Sequence, residues 1–304
     1  MDAMHLELTD LRLFVHVAEA GNLTRGAARA FLSAPAASAR IQALEVQLDS
    51  RLLYRGHKGV SLTQSGETLL RHARIILRQV DYLRDEFSAP GRDERGHVRI
   101  FANTTAVTEF MPEILARFLA DRPGVTVDLQ ERLTQDILRA VRDGTADLGI
   151  VSGEVDLNGL EAIRFSTDKL VLATPIAHAL AARRSIAFGE TLAFEHIGLH
   201  EGSTLLAFLR GLLERNGYDR ALRVKVRSFE AMCRMVEAGV GIGVVPESAA
   251  RRHARTMSIA LIAIDEPWAL RERIVLVRAL DALPRAARTL VSELVKHEAG
   301  GTGA

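Results

Sequence analysis

The chain has 304 residues, is 48% hydrophobic and 25% charged, and carries a net charge of only +1. These values are typical of a globular protein with two or three separately packed units, and they exclude a largely disordered chain. We expect a cytoplasmic protein, because no basic start with an apolar run opens the chain and no membrane-length apolar stretch follows. The single cysteine, Cys233, excludes an internal disulfide, and the ten histidines lack metal-ligand spacing, so we expect no cofactor and no metal.

An opening helix is predicted from Thr9 to Ala20, with Gly21 supplying the left-handed residue that ends it. Its inner face is formed by apolar residues at helical spacing, namely Leu11, Phe14, Val15 and Ala18. We expect this helix to give the next two helices a core.

Two short helices are predicted between Asn22 and Leu48, with a tight corner at Phe31 and Leu32. Either Asn22 or Thr24 caps the first of them. The buried stripe of that first helix is Leu23, Ala27 and Ala28. Ser33 caps the second helix, whose first turn accepts Pro35 because the missing N–H has no partner there. One apolar face runs along the second helix through Ala37, Ile41, Leu44 and Leu48. The pattern predicts a helix-turn-helix, although small-residue helices also pack in all-helical cores that touch no DNA.

The outer face of the second helix is small and polar, which suits a helix that enters the major groove of DNA. Between Asn22 and Arg78, nine basic residues stand against Glu45, Asp49 and Glu67. Charge asymmetry of this kind is typical of a phosphate-binding surface. The predicted DNA contacts are Thr24, Arg25, Ser33, Ala34, Pro35, Ser38, Ala39, Arg40, Gln42, Arg55 and Lys58.

A two-stranded hairpin is predicted around Gly56 to Gly59, with Arg55, His57 and Lys58 at its tip. Beside a recognition helix, a basic hairpin is a wing that contacts phosphates and adds salt-dependent affinity. The alternative is an ordinary solvated turn.

A long helix is predicted from about Gln64 to Phe87, with Thr63 as its cap. Its apolar positions alternate by four and three residues: Leu69, Ala73, Ile76, Val80, Leu83 and Phe87. This heptad seam favours pairing with the same helix of a second chain. The alternative is packing on the helix-turn-helix of its own chain, for which Leu70 and Ile75 are placed.

Beyond a Pro- and Gly-containing hinge, strands and helices alternate from His97 onward. This rhythm predicts a parallel sheet with helices on its faces. So many units suggest two small α/β lobes, with a ligand cleft where the carboxyl ends of the strands face each other.

The chain resembles the LysR-type transcriptional regulators in stretches that run through nearly all of it: LRLFVHVAEAGNLTRGAARAFLSAPAASARIQALEVQLDSRLLYR, GVSLTQSGETLL, GHVRI, LARFLADRPGV, GTADLGIV and MCRMVEAGVGIGVVP. The resemblance implies an α+β multidomain protein with a winged helix-turn-helix at 1–63, a dimerising linker helix at 64–88, a hinge at 89–96 and an effector domain at 97–304. The effector domain is expected to resemble a two-lobed, type 2 periplasmic binding protein. One lobe would take about 97–164 plus 267–298, and the other 165–266.

The resemblance also implies partners, namely double-stranded DNA, a small-molecule effector and a second copy in a homodimer that often becomes a homotetramer. It leaves contact with RNA polymerase open and implies no membrane. The chain departs from the family at Ala34 and Ala39, where glutamine and arginine usually stand, so two base readers are missing. Readout then rests on Ser38, Gln42 and the flanking Arg40, with methyl contacts from Ala34, Pro35 and Ala39 to thymine.

Two strand-to-helix junctions of the effector domain resemble ligand contacts of the family. They contain Asn103, Thr104 and Thr105 in the first lobe, and Glu201, Gly202, Ser203 and Thr204 in the second. Each junction offers backbone N–H groups and a hydroxyl at the positive end of a helix, which suits a carboxylate. The alternative is that these residues are helix caps, which would explain Thr105 and Thr204. Ser152 and Phe229 are further candidates to line the cleft.

Three other functions compete with an effector-responsive regulator. A regulator without an effector would keep the cleft as a structural feature. A solute-binding protein has no use for a basic helix-turn-helix. An enzyme is not expected, because GVGIGVVP lacks the glycine spacing of a dinucleotide fingerprint and no nucleophile, base and orienting group occur together.

Overall fold

The computed structural model describes residues 6–56, 59–87, 96–153, 155–201, 203–217 and 222–299. The chain forms two compact units, the first built around residues 1–92 and the second from most of the chain that follows. Within the described residues, no helix combines the length and the apolar character needed to cross a membrane.

Three helices form the core of the first unit: α1 at Leu8–Ala20, α2 at Leu23–Arg29 and α3 at Ala34–Gln47. The predicted inner face of α1 is right for Leu11 and Phe14, which are buried. It is wrong for Val15 and Ala18, which are half-buried, because Leu13 and Val17 are buried instead. The same correction applies to α2, where Gly26 and Ala27 are buried and Ala28 is exposed. The two helices meet at Gly26, because a Cβ added there would lie 2.5 Å from the Cα of Val17.

The predicted wing is present as an antiparallel pair, β1 at Leu53–Gly56 and β2 at Gly59–Leu62. The N–H of Val60 donates to the carbonyl of Gly21 at 2.9 Å, which attaches the wing to the end of α1. His57 and Lys58 of the predicted tip lie outside the described residues.

The long helix α4 covers Gln64–Phe87 and begins at the predicted cap, since the Thr63 hydroxyl accepts the N–H of Gly66 at 3.0 Å. Its heptad seam divides into two parts. Leu69 packs against the core of the first unit and Ala73 is fully buried within the single chain. Further along, Ile76, Leu83 and Phe87 are 42%, 54% and 80% exposed. Only this later part of the seam is therefore available to a partner. Of the predicted hinge, residues 89–95 lie outside the described residues.

The second unit has two lobes. The first lobe contains β3 at Gly96–Ala102, a short π-helix at Ala106–Phe110, α5 at Met111–Ala120, β4 at Val125–Glu131, α6 at Thr134–Arg142, β5 at Leu148–Ser152 and the last helix α11 at Arg285–Ala299. Strand β3 pairs in parallel with β4 and β5, as the alternating pattern predicts.

The second lobe contains β7 at Ser185–Ile186, α7 at Phe188–Thr191, β8 at Ile197–Leu199, α8 at Thr204–Arg215, β9 at Val224–Val226, α9 at Phe229–Glu237, β10 at Gly243–Pro246, α10 at Glu247–His253 and β11 at Ile259–Ile264. A core of its own fills this lobe, with Leu172, Val236 and Ile262 fully or almost fully buried.

Two long strands cross between the lobes, β6 at Glu161–Pro175 and β12 at Leu270–Val277. They pair antiparallel, and β12 also pairs antiparallel with β5 while β6 pairs antiparallel with β10 and β11. The expectation of a purely parallel sheet is therefore wrong at the crossing. The chain leaves the first lobe along β6 and returns along β12, so these two strands must run in opposite directions.

Candidate functional site

A capping side chain marks the start of each helix of the helix-turn-helix. The Asn22 Oδ1 accepts the N–H of Arg25 at 3.0 Å, and the Ser33 Oγ accepts the N–H of Ala36 at 3.4 Å. Between the two helices, Phe31 has a left-handed φ of 55° and its side chain is 97% exposed. The caps fix where α2 and α3 begin. The burial of Ala37, Ile41 and Leu44 determines which face of α3 points to solvent.

The outward face of α3 is the predicted one. Pro35, Ala39 and Gln42 are exposed, and Ser38 is half-buried. The Ser38 hydroxyl accepts a hydrogen bond from Nη1 of Arg55 at 2.8 Å, which ties the wing strand β1 to this face. Two predicted DNA contacts from separate elements are thus brought together.

Glu45 is a structural residue that sequence reasoning missed. Its Oε1 accepts the N–H groups of Leu52 at 2.8 Å and Leu53 at 3.2 Å. The carboxylate therefore holds the start of the wing against the end of α3.

Arg40 was predicted to contact DNA, but in the structure it pairs with two acidic residues of its own chain. Its Nη1 donates to Asp10 at 2.6 Å and to Glu7 at 3.2 Å. The hydrogen bonds to Asp10 and then Glu7 raise the pKa of Arg40 above its usual value. Because the guanidinium already joins α3 to residues at the start of α1, less of it is available to a base edge.

The polar residues at the end of β3 are buried and satisfied. Asn103 and Thr104 are 3% and 4% exposed. The Asn103 Nδ2 donates to the Ser152 Oγ at 3.0 Å, and the Thr104 hydroxyl donates to Oε1 of Glu131 at 2.6 Å. These bonds connect the carboxyl ends of β3, β4 and β5, where a ligand is expected in a parallel sheet.

The alternative that the junction residues are helix caps is right for Asn103 and Ser203 and wrong for Thr105 and Thr204. Asn103 caps the helix after β3, since its Oδ1 accepts the N–H of Ala106 at 2.9 Å. Ser203 caps α8, since its Oγ accepts the N–H of Leu206 at 3.5 Å. Thr105 and Thr204 are half-buried and form no side-chain hydrogen bond with the described part of the chain. Gly202 lies outside the described residues.

Phe229 lies in the core of the second lobe. It is 2% exposed and opens α9, which Ser228 caps by accepting the N–H of Ala231 at 3.1 Å. The structure therefore gives it a packing role and offers no surface of it to the cleft.

Arg271, on β12, is the residue that sequence reasoning missed at the cleft. Its Nη2 donates to the carbonyl of Ser152 at 2.6 Å, and its guanidinium lies 4.1 Å from the ring centroid of Phe208 on α8. It thus reaches from the end of β5 in the first lobe to a helix of the second. Burial lowers the pKa of Arg271, and its Nε is buried without a hydrogen-bond partner. No carboxylate of the described residues pairs with it. One signal could have found it, because Arg271 and Arg273 alternate at the charged start of the strand RERIVLV and so share a face.

Arg273, on the same strand, has the carboxylate that Arg271 lacks, although its Nε is also buried without a hydrogen-bond partner. Its Nη2 lies 2.6 Å from the Asp168 carboxylate, and the two side chains are 11% and 10% exposed. The Ser248 hydroxyl donates to the same carboxylate at 2.8 Å. The pair ties the crossing strands β6 and β12 together.

A second ion pair joins the lobes through Glu109. Its side chain is 3% exposed and lies 3.0 Å from Nη2 of Arg252 on α10. Together with Arg271, this pair makes the junction of the lobes polar.

The one cysteine is not a reactive thiol at neutral pH. Cys233 is fully buried in the second lobe, and burial raises its pKa to about 11. A thiol with this pKa stays protonated and is a poor nucleophile.

Comparison with known proteins supports the architecture. Residues 8–67 match the family described as bacterial regulatory helix-turn-helix protein, lysR family, and residues 91–299 match the LysR substrate binding domain. The HTH-type transcriptional regulator YnfL of Escherichia coli (strain K12), itself uncharacterised, is 30% identical over 272 residues, which cover 87% of this chain and 92% of that protein. A probable RuBisCO transcriptional regulator of Emiliania huxleyi is 27% identical over 98% of this chain and 95% of its own length.

Solved structures are similar over nearly the whole length. CbnR, a LysR family transcriptional regulator, is 25% identical with a TM-score of 0.63, covering 96% of this chain and 99% of that one. A full-length OxyR variant from Pseudomonas aeruginosa, at 24% identity, shares the fold with a TM-score of 0.74 and covers 95% of each chain. These relatives are transcriptional regulators rather than enzymes. The chain belongs to the LysR family of DNA-binding transcriptional regulators.

Proposed function

We propose that this regulator adjusts its promoter output to a small, carboxylate-bearing effector bound between the two lobes of the effector domain. Arg271 carries the proposal. A buried guanidinium is stable only when an anion or hydrogen bonds replace its lost hydration. Arg271 has one carbonyl oxygen and an aromatic ring, and a ligand carboxylate would complete its surroundings.

The hydroxyls of Thr105 and Thr204 supply the remaining proposed contacts, one from each lobe. Asn103, Thr104, Ser152 and Ser203 are already bonded to other groups and would shape the site. The same satisfied bonds favour a second candidate, a regulator whose cleft binds no ligand. The two candidates differ in whether a ligand carboxylate binds the guanidinium of Arg271.

We further propose that DNA is contacted by the outer face of α3, the start of α2 and the wing. Gln42 and Ser38 would read bases, Ala34, Pro35 and Ala39 would meet thymine methyls, and Thr24, Arg25, Ser33, Arg55 and Lys58 would hold phosphates. CbnR has been solved with its target DNA, which supports this role for the shared fold. The exposed part of the α4 seam would pair two chains. Because the operator DNA that the protein would bind is cytoplasmic, we propose that the protein is cytoplasmic too.

Thermal unfolding against a panel of mono-, di- and amino-carboxylates tests the effector. A ligand that binds only the folded state at about 100 times its Kd stabilises it by about 2.7 kcal/mol. We expect at least one carboxylate to raise the Tm of the wild type but not that of Arg271→Gln. Arg164→Gln is the matched control, because Arg164 pairs with Glu272 at the surface with 72% of its side chain exposed, and it should respond like the wild type. A panel without any response would favour the effector-independent regulator.

A further inference from the structure

A cavity of about 230 Å³ lies within the second lobe, between α8 and the small sheet of β8 and β9. All residues that line it belong to this lobe, so it is separate from the proposed cleft site. Most of the wall is aliphatic, with Leu199, Leu206, Leu209 and Leu213 among the contributors. A concave, mostly apolar space with a few polar groups at its edge is the usual form of a small-molecule site.

Size and polarity limit what can enter. An engineered apolar cavity of about 150 Å³ binds benzene, so 230 Å³ holds one aromatic ring with a short side chain, or a short alkyl chain. The apolar wall excludes sugars and other strongly polar molecules.

Charged residues stand at the polar side of the cavity. Lys225 and Arg210 belong to its lining and both pair with the carboxylate of Glu201, Arg210 at 2.6 Å. The side chains of the three residues are about half exposed, which keeps them reachable from solvent. Hydrogen bonds from Lys225 and then Arg210 hold the pKa of Glu201 below its usual value, so its carboxylate is ionised. Two cations and one anion leave a single positive charge uncompensated.

We propose that this cavity is a second small-molecule site, which binds an aromatic or short aliphatic monocarboxylate. The apolar part fills the space under α8, and the carboxylate binds Lys225 and Arg210 in competition with Glu201. The chain's own carboxylate therefore occupies the position that the ligand's carboxylate would take.

Calorimetric titration of the full chain with 3-phenylpropanoate tests the site, with neutral 3-phenylpropanamide as the matched probe. We expect the acid to bind and the amide to bind more weakly. Lys225→Gln should weaken binding of the acid about fivefold, the upper end for an exposed ion pair. Glu201→Gln should tighten it, because the competing carboxylate is gone. Arg251→Gln removes an exposed cation from α10 of the same lobe and should change nothing.

Leu209→Trp fills the cavity from a half-buried position and should abolish binding. Lys225→Gln and Glu201→Gln are surface changes, so they decide the matter even if the tryptophan variant does not fold. The proposal is overturned if the wild type does not bind the acid. It is also overturned if Lys225→Gln and Glu201→Gln both bind the acid with the affinity of the wild type. Binding that survives Leu209→Trp but is lost in Arg271→Gln would place the acid in the cleft and would also overturn it.

Discussion

Two arginines on one strand differ in what compensates their charge. Arg273 has the carboxylate of Asp168 at 2.6 Å, whereas Arg271 has the carbonyl of Ser152 and the ring of Phe208. The strand and the burial are shared, so the missing carboxylate is the difference. This contrast is the reason to place the effector's charge at Arg271.

Base readout on α3 depends on few side chains, since alanine stands at positions 34 and 39. We expect Gln42→Ala to relax the base preference at one position, with a cost of about 1–3 kcal/mol on the preferred sequence. Selection of bound fragments from random DNA measures this. Gln47→Ala is the control, because Gln47 is also exposed on α3 but lies on another side of the helix. An unchanged operator in Gln42→Ala would show that another face of α3 meets the bases.

Arg55 is expected to act through phosphate rather than through a base, although it also bonds Ser38. Arg55→Ala should weaken binding to all sequences alike and reduce the slope of affinity against salt by about 1. Titrations of one operator and one unrelated duplex at several salt concentrations provide the measurement. A loss confined to the operator would mean that Arg55 reads sequence.

The buried thiol of Cys233 predicts both a reactivity and a pH dependence. Its pKa of about 11 in the folded chain exceeds the ordinary 9.0, so folding favours the protonated form. The stability that this gives is complete below about pH 9 and is lost as the pH rises towards 11. We expect no reaction with a thiol reagent at pH 8 until denaturant is added. Rapid labelling of the native chain would contradict the burial.

The helix caps could be predicted from the sequence because they are local. Asn22, Ser33 and Thr63 each bond an N–H three residues ahead, and a short stretch of sequence contains both partners. Arg40 and Phe229 could not be assigned in this way. The partners of Arg40 lie 30 or more residues away, and the core around Phe229 is assembled from the whole second lobe.

Helix α4 packs against its own chain along the first part of its heptad seam and leaves the later part exposed. The heptad spacing predicts a continuous seam, yet its early part is covered by its own chain. The distinction depends on tertiary packing, which a periodicity does not contain.

The exposed part of the seam predicts where a dimer can be broken. Leu83→Asp should give a monomer and lower operator affinity, because Leu83 is 54% exposed in the single chain and a dimer would bury the new charge twice. Sedimentation and operator titration measure both effects. Gln79→Asp adds the same charge at an exposed position off the seam and should remain dimeric. A dimeric Leu83→Asp would place the interface elsewhere.

The crossing strands predict a stability effect. Arg273→Met leaves the nearly buried Asp168 without its cation and should cost about 3–5 kcal/mol of unfolding free energy. Adding Asp168→Leu should recover much of that loss. Urea unfolding of the two variants measures the difference, with Arg164→Met, at an exposed pair, expected to cost no more than about 1 kcal/mol. If the variant with both Arg273→Met and Asp168→Leu is as unstable as Arg273→Met alone, the unpaired carboxylate of Asp168 is not the cause of the lost stability.

Elements within the alternating strand and helix pattern could be predicted even where they are short, and elements outside it could not. The pattern predicts strands β3 to β5, helix α8 and the short strands β8, β9 and β10, whereas β7, α7, α10 and β11 were not predicted. Helices α7 and α10 have four and seven residues, too few to show a period of 3.6. The antiparallel crossing was missed because strand direction depends on where the chain returns.

In the effector domain as a whole, the side chains that join the two lobes determine whether a ligand can shift the lobes from one arrangement to another. Arg271 contacts both lobes, and the Arg252–Glu109 pair joins them again. A ligand shifts the balance between two arrangements only if it binds one of them better. A carboxylate held by Arg271 and by hydroxyls from both lobes has that preference.

If the cleft ligand acts as proposed, it changes how the protein binds DNA. Fluorescence titration of the selected operator, with and without the carboxylate found by thermal unfolding, tests it in the wild type and in Arg271→Gln. Operator affinity in the absence of ligand shows that the variant is folded. We expect a change of about 5- to 150-fold in the wild type, the usual range of allosteric coupling, and none in the variant. An equal response in Arg271→Gln, or a ligand that stabilises the wild type without altering its operator affinity, would contradict it.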